Sequence, residues 1–251
     1  MKSFALASGS SGNSYYIESD LGVKILVDLG LSFKKIKEIL ANRGIDIKDI
    51  NYVFITHEHS DHCSGLKVFS QNINAKVYLS KGSSDALLES LNNFEVIEEY
   101  KIIKLKDIKV MPIKKSHDSK EPFFYLFENK KKLGIFTDMG IICEKTIHIL
   151  KEVDILYFET SYCYDIIKER DLRCNYVNRL ISDVGHLGVD LACEVLCKVC
   201  KNNQTIILSH ISQNANTYEN AYLKIKNSLI DKKIYPKIEI SFQDEPTKWF
   251  E

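Results

Sequence analysis

Proline is scarce in this sequence, four residues in 251, and no stretch gathers Pro, Gly and Ser into a linker. That argues against independent domains on a flexible tether. There is no low-complexity tract and no strong internal repeat, which excludes solenoid and propeller arrays. No apolar run approaches the roughly 20 residues that cross a bilayer. The N-terminal MKSFALASGSSGNS has one lysine and an apolar piece broken at Gly9, too short for the core of a signal peptide. Excess charge is missing too: 34 Lys and Arg face 34 Asp and Glu, so the chain lacks the overall basic footprint of a typical nucleic-acid binder. Seven cysteines, an odd number, without a secretion signal point to a reducing cytoplasm rather than a disulfide framework.

What the chain has is enough apolar material, 45% of its residues, to fill one large mixed α/β core, and a single domain over residues 1–251 is expected. The stretch YVFITHEHSDHCSG, Tyr52 to Gly65, organises it. Tyr52 to Thr56 are aromatic or β-branched and read as a short buried strand ending at His57. His57, His59, Asp61 and His62 then fall within six residues. Imidazole and carboxylate are ligands shared by zinc, manganese and iron, and no thiolate at matching spacing suggests a closed structural zinc site. A solvated polar loop is the plain alternative. With 7 His in the chain, chance produces HxHxDH in roughly 3 of 10,000 such sequences.

Along the chain, Ser3 to Leu6 and Ser14 to Glu18 read as strands around the loop Ala7–Asn13, whose small residues turn N–H groups and hydroxyls toward an anion. Val23 to Val27 is a strand ending at Asp28, and Ser32 caps a helix with Phe33, Ile36, Ile39 and Leu40 on one face. Further on, three apolar strands each stop at a metal-ligand type: His117 in KKSHDS, Asp138 after LGIFT, and His210 after TIILS. A lone histidine or aspartate in a turn is ordinarily surface. The recurrence at three strand ends outweighs that reading.

HEHSDH after a hydrophobic strand resembles the signature of the metallo-β-lactamase fold superfamily, an α/β four-layer αβ/βα sandwich in which two metals sit between two sheets. SGSSGNSYYI (8–17), VDLGLSFKKI (27–36), TDMG (137–140), SDVGHLG (182–188) and LSHIS (208–212) are similar to its YycJ/WalJ group. The resemblance implies two divalent metal ions, Zn or Mn with Fe as a further option. His57, His59 and His117 would hold one, Asp61, His62 and His210 the other, and Asp138 would bridge them. It implies that Asp28 orients the metal loop, that Ser11 and Asn13 contact substrate, and that Asp61 and His186 take part in catalysis, His186 as a phosphate contact or general acid. The implied activity is phosphodiester cleavage by a metal-activated shared water, on DNA from the 5′ end, in the cytoplasm, with a nucleic acid as partner, no membrane and no protein partner identified. The competing readings are a hydrolase of a small phosphodiester or thioester, and a regulatory module holding metal without turnover.

One segment departs from the group's pattern. ETSYCYD (159–165) stands where a compact E-S-N-H-D stretch is expected, and the Asn-His pair is absent. Tyr162 and Tyr164 are candidates to face the site. Lysines at 34, 35 and 37, at 114 and 115, and at 130 to 132 are ordinarily solvated surface, with a local basic face as the competing reading. Cys193, Cys197 and Cys200 share a helical face and read as reduced, buried thiols, with Cys63 as small filler and His148 as a surface residue.

Overall fold

Val, Ile, Tyr and Phe suit a pleated, half-buried surface, and the runs rich in them become strands β1 (Lys2–Ala7), β2 (Ser14–Glu18), β3 (Lys24–Val27), β4 (Tyr52–Phe54), β5 (Lys76–Leu79) and β6 (Phe94–Val96). These form one sheet in sequence order, antiparallel from β1 to β3 and parallel from β3 to β6. Parallel neighbours need crossovers, supplied by α1 (Phe33–Ala41), α2 (Ser60–Cys63), α3 (Leu66–Asn72) and α4 (Lys81–Leu87). Ser32 Oγ accepts from the Lys35 amide at the start of α1, which buries Ile36, Ile39 and Leu40. The computed structural model describes residues 1–251, and this sheet lies in the first of two compact units, Met1–Lys114 with Ser119–Lys130 and Phe242–Glu251. The C-terminal tail closes on its own unit: Ser3 and Phe250 exchange backbone hydrogen bonds of 2.8 Å, and Trp249 packs edge-on against Phe4.

The same unit holds the antiparallel strands β7 (Ile103–Leu105), β8 (Ile108–Lys114) and β9 (Phe123–Glu128). The sequence predicts β7 from Tyr100, but Tyr100 has φ of 60°, which no strand accommodates. Phe54 on β4 stacks on Tyr78 and meets the edges of Tyr125 and Phe127, while the Tyr125 hydroxyl donates to the Ile55 carbonyl at 2.7 Å. An aromatic core thus backs the strand that leads to the metal loop.

The second unit, Lys115–Asp118 with Lys131–Ser241, contains β10 (Lys132–Phe136), α5 (Glu144–Leu150), β11 (Ile155–Glu159), α6 (Tyr164–Glu169), α7 (Cys174–Leu180), α8 (Val189–Val199), β12 (Thr205–Ser209), α9 (Tyr218–Asp231) and β13 (Lys237–Ile240). Its four strands are parallel and adjacent in sequence order. Strands covered on both faces read as unbroken apolar runs, as LGIF, ILYF and TIIL do. Phe136, Phe158 and Leu208 lie in register, so Asp138, Glu159 and His210 emerge at the same carboxyl edge, where open parallel sheets place their sites. The sequence predicts a helix from Ala215; α9 begins later because Thr217 Oγ1 accepts from the Asn220 amide. No helix is long and apolar enough to cross a membrane.

Candidate metal centre

In the first unit, His57 and His62 are buried, and His59 and Asp61 partly so. Their order comes from Asp28 and Thr56. Asp28 is fully buried and accepts from the Thr56 amide at 2.8 Å, the Thr56 hydroxyl at 2.8 Å and His62 Nδ1 at 2.7 Å. With its single proton given to Asp28, the Thr56 oxygen accepts from His57 Nδ1 at 2.9 Å. Both imidazoles are therefore fixed with the proton on Nδ1 and the lone pair on Nε2, the arrangement metal-binding histidines use. His57 Nε2 lies 3.1 Å from His59 Nδ1, and His62 Nε2 lies 3.4 Å from Asp61 Oδ2.

Asn13 is buried beneath this loop. Its amide nitrogen reaches His62 Nε2 at 3.1 Å and Asp61 Oδ2 at 3.3 Å, while its backbone N–H donates to the Asp61 carbonyl at 2.7 Å. Ser11 is exposed, its N–H donating to Gln243 Oε1 at 3.2 Å. Gly30 must be glycine: a Cβ there would stand 1.8 Å from the Asp61 carbonyl oxygen. The Cys63 thiol is pushed up to about 12 by burial and donates to the carbonyls of Glu58 and His59, so it fills space as a thiol.

In the second unit, His117 is buried and donates through Nδ1 to the Gly185 carbonyl at 3.0 Å, which again puts the proton on Nδ1 and the lone pair on Nε2. Burial pushes its imidazole down to about 3, so it is neutral near pH 7. Asp138 Oδ1 lies 3.1 Å from His210 Nε2, and Asp138 Oδ2 lies 3.7 Å from Lys115 Nζ. Lys115, grouped with Lys114 as surface on sequence, is buried and donates to the Thr137 carbonyl at 2.8 Å. It places a cation beside Asp138, and Lys114 alone of the pair is exposed. His186 Nδ1 is 2.7 Å from Glu159 Oε1, and the other Glu159 oxygen accepts from the Met139 amide at 2.8 Å. Burial alone would raise the Glu159 carboxyl, but His186 and His210 outweigh it and hold it below the usual carboxylate range. One ligand atom each from His117, Asp138 and His186, and likewise from Glu159, His186 and His210, lie within 4.8 Å of one another.

Backbone strain marks the same residues. Asp28, Asp138 and His210 have φ of 60°, 59° and 53°. Non-glycine residues enter this region rarely, Asp and His more readily than most, and such positions cluster at functional sites. Each turns the chain sharply as it leaves its strand.

The donors fit divalent ions: imidazoles, with Nδ1 committed in His57, His62 and His117, carboxylates, and no thiolate, a set suited to zinc, manganese or iron. His148 is exposed on α5, and in the loop after His210 the Asn216 side chain is buried, donating to the Thr160 carbonyl at 3.0 Å. Tyr162 is half-buried and Tyr164 exposed. Cys193, Cys197 and Cys200 are free, partly buried thiols. Sequence reasoning gave Glu159 no role, although it ends an apolar strand as the recognised ligand types do.

A model of the metallo-beta-lactamase superfamily matches residues 7–128. Exodeoxyribonuclease YycJ of Bacillus anthracis is 30% identical over 234 residues, 90% of this chain and 88% of that protein. Exodeoxyribonuclease WalJ of Streptococcus pneumoniae is 31% identical over 233 residues, 89% and 86% of the two chains. Among solved structures, the metallo-beta-lactamase fold protein YhfI from Bacillus subtilis superposes with a TM-score of 0.75 over 98% of this chain and 99% of that one, at 11% identity, a likeness of fold alone. Sequence and fold agree that the chain belongs to the metallo-β-lactamase superfamily and, within it, to the group of the YycJ and WalJ proteins.

Proposed function

We propose that this chain is a dinuclear metal-dependent hydrolase that shortens DNA from the 5′ end, its residues 1–251 acting as one metallohydrolase domain in the reducing cytoplasm. The ligand assignment is the one the family resemblance implies: His57, His59 and His117 for one ion, Asp61, His62 and His210 for the other, and Asp138 shared. The observation that carries the reading is that each unit, taken by itself, directs buried imidazole and carboxylate groups together with their tautomers already fixed. The relatives named exodeoxyribonuclease support a phosphodiester in DNA as the substrate.

When bound, two divalent ions supply a water of lowered pKa and stabilisation of the charge that develops on phosphate oxygens. The chain's own residues do the rest. Glu159 holds His186 by Nδ1, so a doubly protonated His186 carries its second proton on Nε2, to be handed to the departing oxygen. Lys115 offsets the buried charge of Asp138, and Asp28 and Asn13 hold the metal loop in shape. Exposed Ser11, in a loop of small residues, offers its hydroxyl to a substrate phosphate.

The test is an assay of purified protein with manganese, and separately zinc, on end-labelled single- and double-stranded DNA and RNA, with His59→Ala as control. Metal-dependent shortening of DNA from the 5′ end, lost in the variant, is the expected result. No cleavage of any nucleic acid with two metals bound would shift the reading to a small phosphodiester or thioester.

A further inference from the structure

A lysine is seldom fully buried, because its charge leaves water at a cost that only a close partner offsets. Lys115 is the only buried lysine or arginine of this chain, and its side chain is 0% exposed. The ammonium donates to the Thr137 carbonyl at 2.8 Å and stands 3.7 Å from Asp138 Oδ2, on a carboxylate that is itself buried. The other oxygen, Oδ1, turns toward imidazoles, 3.1 Å from His210 Nε2 and 3.9 Å from His186 Nδ1. Asp138 thus divides its charge between a resident cation and the cluster of candidate ligand atoms.

The ammonium is held where it stands. The segment that carries it is knitted into its own unit: the Ser116 carbonyl accepts from the Gly140 amide at 3.1 Å, the Ser116 hydroxyl donates to the Asp183 carbonyl at 2.7 Å, and the Asp118 amide donates to the Val184 carbonyl at 2.9 Å. Both Asp118 oxygens accept from Arg179, at 2.6 and 3.1 Å. By donating to Thr137, Lys115 also braces the turn at Asp138, whose φ is 59°. Its field reaches the ligand positions. Burial chiefly keeps a proton off His117; Asp138 favours one, and the Lys115 ammonium opposes it. A divalent ion beside His117 and Asp138 meets the same ammonium, and like charges a few ångströms apart repel more strongly in a buried site than in water.

We propose that Lys115 is a built-in counter-ion of Asp138 that lowers the affinity for the divalent ions sharing this carboxylate, leaving the weaker-held of the two free to exchange. The inference rests on the two-ion reading and adds how tightly the centre holds its metal. Without metal, the ammonium balances the buried carboxylate. With metal, the ions do so, and Lys115 becomes a repelling neighbour that cannot move away.

The test uses the full chain purified with zinc. Release of zinc from the loaded protein into an excess of chelating dye is timed, and competition with the same dye gives the zinc affinity. In Lys115→Met, and in Lys115→Gln, which keeps a donor without the charge, the weaker-held zinc binds about tenfold more tightly and leaves about tenfold more slowly. Lys114→Met, at the exposed neighbour, changes neither. The sign separates this role from plain support, since loss of a support loosens a metal site. Equal or weaker zinc binding in both neutral variants overturns the proposal while the two-ion reading stands. Failure of both to fold with zinc present overturns it as well, because the ions should then replace the lysine. A single zinc per unaltered chain overturns both.

Discussion

Replacing Asp28 with Asn exchanges one carboxylate oxygen for an NH2 group at a residue that faces three donors. The Thr56 amide, at 2.8 Å from Oδ1, keeps an acceptor. The Thr56 hydroxyl and His62 Nδ1, at 2.8 and 2.7 Å from Oδ2, meet a donor instead. The hydroxyl turns away, and His62 moves its proton to Nε2 so that Nδ1 accepts from the new amide. Two hydrogen bonds to a charged group are weakened or lost, about 2–3 kcal/mol in the metal-free protein. For a chain of this length that lowers Tm by about 4–6 °C. The larger effect is on metal, since the Nε2 lone pair of His62 now carries a proton. Affinity at the ion served by His62 falls about 10- to 100-fold, as when other partners of ligating histidines are removed. Asp28→Ala adds strain of about 1–2 kcal/mol, because alanine tolerates a φ of 60° poorly, and leaves all three donors unpaired. Calorimetric titration of zinc into metal-free protein, with melting curves in chelator, separates the two effects. Unchanged zinc affinity at both ions in Asp28→Asn would refute the tautomer argument.

Gly30→Ala drives a Cβ to 1.8 Å from the Asp61 carbonyl and 2.5 Å from the Asn13 nitrogen, both backbone atoms; a loss of about 3 kcal/mol or more is expected, read by urea unfolding. Asp138→Asn keeps the size and backbone preference of Asp138 while removing its charge, so DNA shortening falls at least about a hundredfold with an unchanged circular dichroism spectrum. His117 gives the metal-free protein a pH dependence. Its folded value of about 3 lies below the ordinary 6.5, so the unfolded chain binds the extra proton first and stability drops as pH falls from 6.5 toward 3. The urea midpoint of His117→Gln should be flatter over that range. Lys115→Met leaves Asp138 buried without its cation; it destabilises the metal-free protein by about 3 kcal/mol or more, and measurably less once metal is added, by melting in the two states.

The candidate metal loop stands out in the sequence because its imidazoles and carboxylate lie within six residues: an apolar strand followed by HEHSDH needs no tertiary information. His117, Asp138 and His210 stand out for a related reason, each following a run that reads as a strand. Glu159 meets the same criterion and was passed over, because a carboxylate ending ILYF looks like an ordinary strand terminus until register sets it level with Ser209. Lys115 could not be told from Lys114 by sequence, since which lysine turns inward depends on where the chain leaves β8. Asn13 read as an anion contact in a Ser/Gly loop, whereas its amide is spent on Asp61 and His62, 48 and 49 positions away. The short helices α6 and α7 carried no strong periodicity; Ile167 and Leu180 pack with Ala215 in a small apolar cluster of their own, and the contacts of Arg170 with Gln213 and of Arg179 with Asp118 add to it.

The proposed activity requires two metal ions held by this chain to cleave DNA. Metal-free protein is titrated with manganese while bound metal and the shortening of a 5′-labelled strand are followed in the same samples. The expected result is binding that saturates at two ions per chain, with cleavage appearing as the second is filled and absent in Asp138→Asn. Full cleavage with one ion bound, or none with two, would contradict it.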